Sequence, residues 1–585
     1  MAQLLVGARP EARGLPIVNF PYAFLSAALA RGASRAVPDR AAVVAALADL
    51  GCAIDGPDDG PSLAVEALMN RPDLFSLEGV ARALRPFLGL SPSPAYPVAP
   101  GPVSVTVDPS VLEVRPEIAC AVVRGVELTA EGLGLLLDAQ EKLDLTYGRK
   151  RSRVSIGLHD LAPLVPPITY RAAAPSSASF VPLLGDALPG GPRALNLQEI
   201  LERHPKGQAY GHILAGARAY PLLEDARGAV LSFPPIINGT LTELKPGRRD
   251  IFVDVTGTSR RPVLAAAGLL AMLLAERGGA IESVEVRRPG EEPAREPDLT
   301  PSRREVALAR ASLLVGAPLR ADEAASALER MGHRCLIVPG GRALDVHSPP
   351  WRLDLLHEVD LIEDIAIGLG YRSVPGSLPR VPTIGSEHVS SSAARRARAA
   401  LLGLGFLEVM TLTLTSPSET LILGAPSRSA ASAGGPDTPF VAATENPITR
   451  EHSALRASLV PNLLAVLSAN THRDLPQSIF EVGETVVSGR NLTAVAGAYL
   501  GADASYTRAK GIAQSLCRAF GLPENFAEAP PTSLFTPGRA ACLRLGEETA
   551  GAFGEIAPAA LARFGLVHPA FAFEFPLLSL AAPAS

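Results

Sequence analysis

The densest set of potential ligands in this 585-residue chain lies between Pro349 and Tyr371, PPWRLDLLHEVDLIEDIAIGLGY. Asp360, Glu363 and Asp364 stand at i, i+3 and i+4, a spacing that puts three carboxylates on one helical face. Such a group repels itself unless a cation sits within it. Asp354 follows Pro349, Pro350 and Trp351, where a helix has not yet begun, so it can reach the group from an extended segment. Four hard oxygen donors suit Mg²⁺, which takes a few carboxylates and completes its shell with water. Acids in the first turns of an amphipathic helix are equally served by the helix dipole and by solvent. Spacing alone leaves both readings open.

Two loops offer a different kind of site: PPIINGTLTEL (234–244) and VDVTGTSRR (253–261). Each combines glycine with small hydroxyls and polar neighbours, the ingredients of a pocket lined by backbone. Asn-Gly and Thr-Gly also make ordinary turns, so the loops carry no chemistry on their own account.

The elements that must position these groups follow from apolar spacing. Leu355, Leu356, Val359, Ile362, Ala366 and Leu369 recur at three- and four-residue steps, predicting an amphipathic helix whose buried stripe lies opposite the acids. A related design occurs earlier. Residues 37–54, VPDRAAVVAALADLGCAI, parallel 319–338, and Asn70-Arg71-Pro72-Asp73 before LFSLEGVARALRPFLG parallels Trp351-Arg352-Leu353-Asp354 before LLHEVDLIEDIAIGLG. This internal repeat predicts two related helix-strand modules with another domain inserted between them. The first copy keeps Asp73 and Glu78 but lacks the three-acid face. Residues 1 to about 14 read as a loose extension, and the proline-rich 92–102 as a linker. Between the modules, short β-like runs alternate with helical segments, including 103–107, 120–128, 228–233 and 251–257. Beyond 377 a basic amphipathic helix carrying Arg395 to Arg398 precedes a low-complexity Ala/Ser/Gly stretch (425–436). Several strands follow, so the reading is an α+β domain on an antiparallel sheet.

Size allows several domains with large cores. With 54 Lys and Arg against 59 Asp and Glu, the formal charge is −5, so no global basic field announces nucleic acid and any RNA contact must come from local patches. Five scattered cysteines without a CxxC pair predict a reduced protein without a zinc site. The longest apolar run, Val263 to Ala275, is too short to cross a bilayer, and no signal peptide is read at the N-terminus.

Eight segments in order, NRPDLFSLEGVARAL (70–84), HDLAPLVPPITY (159–170), SFPPIINGTLTEL (232–244), RDIFVDVTGTS (249–259), the 349–371 stretch, ENPITREHSALRASLVPNLL (445–464), FEVGE (480–484) and FTPGR (535–539), closely resemble the β subunit of phenylalanyl-tRNA synthetase in its archaeal and eukaryotic form. The resemblance implies a multidomain α+β chain: an N-terminal module (1–100), a mixed α/β editing-type domain (101–292), a B5-like helical module with the acidic helix (293–376) and a class II synthetase-like antiparallel core (377–585). It implies that this core is catalytically silent, because no motif 2 and motif 3 arginine pair is recognisable in 378–585.

Aminoacylation with ATP would then occur on a separate α subunit, in a cytoplasmic α₂β₂ tetramer acting on tRNA(Phe). A pocket built for phenylalanine rejects an isostere plus one hydroxyl by only about 10², which motivates hydrolysis of mischarged Tyr-tRNA at a second site. The family's editing positions match Asn238, Gly239, Asp254, Thr256, Gly257 and Thr258 here, with Asp254 standing where many members carry Glu. Its magnesium positions match Asp354, Asp360, Glu363 and Asp364, with a stabilising rather than catalytic role implied. The rival readings are a free-standing editing hydrolase, which a large core without its motifs argues against, and a structural subunit whose editing site has decayed.

Overall fold

The sequence repeat becomes a repeat of structure. In the first copy the strand Ile17–Pro21 leads to helices Tyr22–Ala30 and Arg40–Asp49, strands Ala53–Ile54 and Ser62–Glu66, and helix Leu77–Phe87. In the second, the strand Ser302–Ala307 leads to helices Leu308–Val315 and Ala321–Arg330, strands Arg334–Ile337 and Ala343–Ser348, and helix Glu358–Leu369. Each copy builds a three-stranded antiparallel sheet with its last strand in the middle. Local chemistry sets the helix ends. Asp39 accepts a bond from the Ala42 amide at 2.9 Å as an N-cap.

This computed structural model describes residues 16–581 except 58, 186, 187, 189, 190, 377, 382, 418–441 and 488. The expected N-terminal extension and the 425–436 loop lie outside the described residues. The chain divides into two units, Met1–Leu378 and Pro379–Ser585.

In the first unit the segment between the modules forms a ten-stranded sheet. Its path runs Ile237–Asn238, Val230–Phe233, Tyr220–Glu224, Ile168–Ala173, Val98–Val107, Ala280–Arg287, Glu117–Arg124, Ile251–Gly257 and Val154–Asp160, with Ala294–Glu296 pairing beside Ala280–Arg287. Part of the expected linker 92–102 is therefore strand: Val98 to Pro102 belong to Val98–Val107, whose start pairs in parallel with Ala280–Arg287 and whose end, Val105 to Val107, also pairs in parallel with Ile168–Ala173. Prolines 100 and 102 are tolerated there because the pairing with Ala280–Arg287 shifts register between Ser283 and Glu285.

Alternation along the strands separates two faces. Ala119, Ala121, Val123, Ile251, Val253 and Val255 pack against helices Ala130–Leu145 and Arg260–Ala275. Ile118, Cys120, Val122, Tyr170, Leu223 and Phe252 form a second core on the other face. Thr242, just beyond the first strand of the path, bonds to His159 on the last, which brings the ends of the sheet together around that second face. The apolar run 263–275 is the buried side of a globular helix, and no helix among the described residues is long and apolar enough to cross a membrane. All five cysteines are free.

The second unit is a seven-stranded sheet in the order Leu407–Glu408, Gln477–Val487, Arg490–Leu500, Ala570–Pro576, Glu548–Ile556, Phe535–Leu545 and Phe526–Glu528. All neighbours are antiparallel except the first pair. Helices Val389–Gly403 and Tyr506–Phe520 cover one face, and Val460–Ala469 and Pro558–Arg563 the other. Two elements here escape sequence reading. The strand Ala570–Pro576 lies in the interior of the sheet and is buried on both sides from Ala570 to Phe573, so it shows no polar alternation. The helix Tyr506–Phe520 buries small residues, Ala509 and Ala513, whose stripe is weak in sequence.

Candidate functional site

The acidic helix corrects two expectations. It begins at Glu358, so Leu355 and Leu356 precede it, and its buried residues are Leu361, Ile362, Ile365 and Ala366, while Leu356 and Val359 are exposed. With that phase Asp364 falls at the margin of the buried face, only 3% exposed. The second expectation, a four-acid donor set, meets side chains that are not brought together here. Arg352 Nη2 donates to Asp364 Oδ1 at 3.0 Å and Arg352 Nη1 lies 2.7 Å from Asp364 Oδ2, while His333 Nε2 is 2.7 Å from the same Oδ2. Arg352 also grips Asp354 in a two-pronged pair at 2.9 and 2.8 Å. Asp360 Oδ2 accepts the amides of Leu356 and His357, both at 2.6 Å, and caps the helix. Glu363 is exposed.

Asp354 and Asp364 thus share Arg352 and Asp360 is taken by backbone amides, and among the described residues no three His, Cys, Asp or Glu side chains converge as a metal requires. Arg352 supplies the positive charge that the spacing demanded. Burial alone would raise the Asp364 carboxyl, but the Arg352 charge and the His333 bond outweigh it and hold the group well below the usual carboxylate range. Arg71 makes the equivalent two-pronged pair with Asp73, at 2.9 Å on both prongs, and its Nε lies 3.9 Å from Asp354 Oδ1. The repeated Arg-x-Asp therefore forms a buried charge network joining the two modules.

The loops fare differently. On the strand Ile251–Gly257, Phe252, Asp254 and Thr256 alternate onto the second face of the large sheet. Asp254 is flanked in register by Cys120 and Gly157, and is 2% exposed rather than facing solvent. Its Oδ2 lies 2.7 Å from His159 Nε2, and His159 Nδ1 lies 2.7 Å from Thr242 Oγ1. A carboxylate only accepts, so Nε2 carries the proton toward Asp254, and with a neutral ring the Thr242 hydroxyl donates to Nδ1. Asp254 Oδ1 makes no bond to a described residue. Gly157 makes room for the pair: a Cβ there would sit 1.9 Å from Asp254 Oδ2 and 2.8 Å from His159 Nε2.

Thr256 is buried, and both its Oγ1 and its carbonyl accept from Arg115, at 2.9 and 2.8 Å. Arg115 is 1% exposed and bonds only neutral oxygens, including Arg151 O at 3.1 Å. Burial lowers its pKa, with Tyr170, Asp144 and Asp254 acting in opposition. Gly257 packs so tightly that a Cβ would meet Arg153 O at 2.4 Å and Val263 Cγ2 at 2.5 Å. Thr258 is exposed at the rim.

Asn238 pairs in register with Ser232, which in turn pairs with Leu223 of the second core, so these three share one face. Ser232 Oγ is buried without a hydrogen-bond partner. Gly239 is buried beside Val230 O and Phe180. Thr242, three residues on, ties this segment to His159 and so to Asp254.

The structure thus gathers Asp254 and Thr256 on one face, joins the 238–242 segment to them through His159, and leaves Thr258 at the edge. Sequence reading missed His159, Thr242, Ser232, Gly157 and Arg115. The one available signal was His159 itself, a titratable residue inside the otherwise uncharged VSIGLH. Elsewhere, the helix with Arg395 to Arg398 is no free basic face: Arg395 pairs with Glu387, Arg398 with Glu408, and Arg396 lies over Phe520.

Comparison with known proteins places this geometry in a class. Residues 304–371 match a family model described as tRNA synthetase B5 domain, and residues 374–577 one described as phenylalanyl tRNA synthetase beta chain CLM domain. The chain is therefore an aminoacyl-tRNA synthetase polypeptide. It is 39% identical to the phenylalanine–tRNA ligase beta subunit of Archaeoglobus fulgidus, over 92% of this chain and 95% of that one. It is 38% identical to that of Methanothrix thermoacetophila, over 96% and 100%. An N-terminal fragment of the phenylalanyl-tRNA synthetase beta subunit from Pyrococcus horikoshii superposes with a TM-score of 0.56 at 34% identity, over 60% of this chain and 99% of the fragment. The chain belongs to the family of phenylalanine–tRNA ligase β subunits.

Proposed function

We propose that this β subunit completes a separate α subunit, which carries the aminoacylation site for phenylalanine, and that its large ten-stranded sheet holds a hydrolytic site that clears tyrosine from mischarged tRNA(Phe). The observation that carries the editing reading is the buried Asp254–His159–Thr242 chain. His159 fixes one carboxylate oxygen and leaves Oδ1 as an acceptor on the sheet face whose core includes Phe252, Tyr170 and Leu223. A tyrosyl ester offers a phenolic hydroxyl to that oxygen. A phenylalanyl ester offers none and would leave the acceptor buried and unpaired, which is the discrimination an apolar pocket cannot supply. In this arrangement His159 is a positioning residue for Asp254, Thr242 orients the imidazole, and Arg115 holds the strand end at Thr256. Water then adds to the ester carbonyl, releasing tyrosine and tRNA.

The proposed partition is the expected one, 1–100 and 293–376 as paired modules, 101–292 for editing and 377–585 as a silent class II-like core, except that Val98–Val107 and Ala294–Glu296 go with the large sheet. Two features support a partner-completing role for the core. Its buried Arg456 is committed internally, to Glu481 at 2.8 Å and Thr411 Oγ1 at 2.6 Å, and so is not free for a nucleotide. Leu402, Leu404, Leu407, Met410 and Leu412 form an exposed apolar run, with Met410 94% exposed. An α subunit packed there, in an α₂β₂ tetramer, would cover it. ATP and Mg²⁺ act on that partner's chemistry, since Asp354, Asp360, Glu363 and Asp364 as arranged here do not fit a divalent ion. The cytoplasm is the expected compartment.

Co-purification with α, scored for phenylalanine charging and for deacylation of Tyr-tRNA(Phe), tests both halves. Asp254→Ala should abolish the second activity and spare the first. A holoenzyme without deacylase activity would leave the subunit structural only.

A further inference from the structure

The turn between the helix Ala130–Leu145 and the strand Val154–Asp160 reads Thr146-Tyr147-Gly148-Arg149-Lys150-Arg151-Ser152-Arg153. Arg149, Lys150 and Arg151 all lie in the left-handed region, at φ of +50°, +52° and +68°. Three consecutive side-chain-bearing residues there are costly and persist only where the surroundings hold them, which is characteristic of functional segments. The inward half of the turn is held from several sides. Arg151 donates to Ile236 O and to Glu141, both at 3.1 Å, so it is fastened to the segment that precedes Asn238. Arg115 bonds Arg151 O and Thr256 together, and the Thr258 amide donates to Arg153 O at 3.3 Å. The turn is therefore pinned to both loops of the candidate site.

Its outward half is cationic. Arg149 and Lys150 are exposed, and the Arg153 guanidinium lies 5.2 Å from the centre of the Tyr147 ring. Arg261, exposed in the first turn of the helix Arg260–Ala275, bears electrostatically on the same tyrosine. None of these four has a carboxylate partner among the described residues, whereas the neighbouring Arg260 is bound by Glu117 and Glu291. Four uncompensated charges are thus held at fixed positions on the rim, in a chain whose net charge is −5.

We propose that Arg149, Lys150, Arg153 and Arg261 form a phosphate-binding patch that grips the backbone of the RNA strand whose aminoacylated 3′ end enters the Asp254 site. The identity of the strand rests on the editing reading. An ester that must reach a buried carboxylate trails its upstream phosphates across the rim, where cations on a pinned turn set the depth of insertion. Such contacts are independent of base sequence and weaken with salt.

The test uses the α-containing holoenzyme and the variants Arg149→Asn/Lys150→Asn and Arg149→Asn/Lys150→Asn/Arg261→Gln. Asn tolerates left-handed backbone, so the turn keeps its shape. Deacylation of Tyr-tRNA(Phe) is compared with hydrolysis of 3′-tyrosyl-adenosine, which has no upstream phosphate. For the triple variant the expected result is a KM for Tyr-tRNA raised about tenfold at ~0.1 M salt, kcat retained, and a salt slope reduced by about 2. Hydrolysis of the small ester should be unaltered, while Asp254→Ala loses activity on both substrates. An unchanged KM and salt slope, or equal losses on both esters, overturns the patch. Should the wild-type holoenzyme not deacylate Tyr-tRNA, the editing reading fails separately. Binding of uncharged tRNA across a salt series then decides the patch by the same loss of affinity and slope, and unchanged binding overturns it.

Discussion

Asp254 Oδ2 and His159 Nε2 lie 2.7 Å apart, on adjacent strands and with neither side chain more than 2% exposed. The bond holds the carboxylate in one orientation. Removing one partner of a buried polar pair costs about 1–3 kcal/mol, so His159→Ala should lower Tyr-tRNA deacylation by roughly 10- to 100-fold. Charging with phenylalanine by the assembled enzyme should not change. Equal deacylation by wild type and His159→Ala would remove His159 from the site.

Gly157 supplies a sharper probe, because its added methyl meets Asp254 Oδ2 at 1.9 Å and His159 Nε2 at 2.8 Å. Gly157→Ala is expected to break the Asp254–His159 pair and reduce deacylation at least as much as His159→Ala. Retained activity in a folded Gly157→Ala protein would show that the pair does not serve hydrolysis.

The Arg352 guanidinium bonds Asp354 and Asp364 at once, and all three are largely buried. Arg352→Ala leaves Asp364 with only its His333 bond and Asp354 with only the Arg71 contact at 3.9 Å, and should destabilise the first unit by about 3–5 kcal/mol, read from denaturant unfolding. Treatment of the wild-type chain with a chelator should leave its melting temperature unaltered. A drop on chelation, restored by Mg²⁺, would reinstate a metal at these acids.

The same cluster sets an acid limit. Burial lowers the His333 pKa, against the bond it donates to Asp364, so the folded state keeps this ring neutral where the unfolded chain protonates it. The unfolded state then binds more protons, and stability falls as pH drops below the ordinary histidine value of about 6.5. Asp364, whose folded pKa is depressed, contributes stability above its unfolded value of 3.8 that is lost as pH falls further. Melting temperature should fall between about pH 7 and about pH 5, with a shallower slope in His333→Gln. A slope unchanged by that substitution would assign the effect to other groups.

Leu407 and Met410 stand exposed at the edge of the seven-stranded sheet. Burying such side chains contributes about 1.5–3 kcal/mol each, so Leu407→Asp/Met410→Asp should weaken association with α by at least about 100-fold. Gel filtration of the co-expressed subunits reads this directly. A stable α complex of the double variant would place the interface elsewhere.

Most elements follow from local pattern. The paired modules are legible because helix caps, leucine stripes and the Arg-x-Asp turns recur in order, and their physics is local. Val98 to Pro102 reads as linker because prolines forbid regular pairing, and only the register shift at Ser283 makes room for them. The strand Ala570–Pro576 hides because burial on both faces erases the alternation by which a strand is recognised.

For the sites, the amino-acid order alone determined the candidates: the acids of 354–364 and the glycine and hydroxyl loops at 238–239 and 254–258. The tertiary structure decided what each one does. Asp354 and Asp364 became halves of ion pairs because Arg352 folds back between them, and helical spacing does not say which charge will arrive. Asp254 became a buried, histidine-bonded carboxylate because strands almost a hundred residues apart in sequence set His159 beside it, with Gly157 leaving the space. Spacing reports neighbours along one element. Burial and pairing across elements, which control charge and hydrogen bonding, exist only once the sheet has closed.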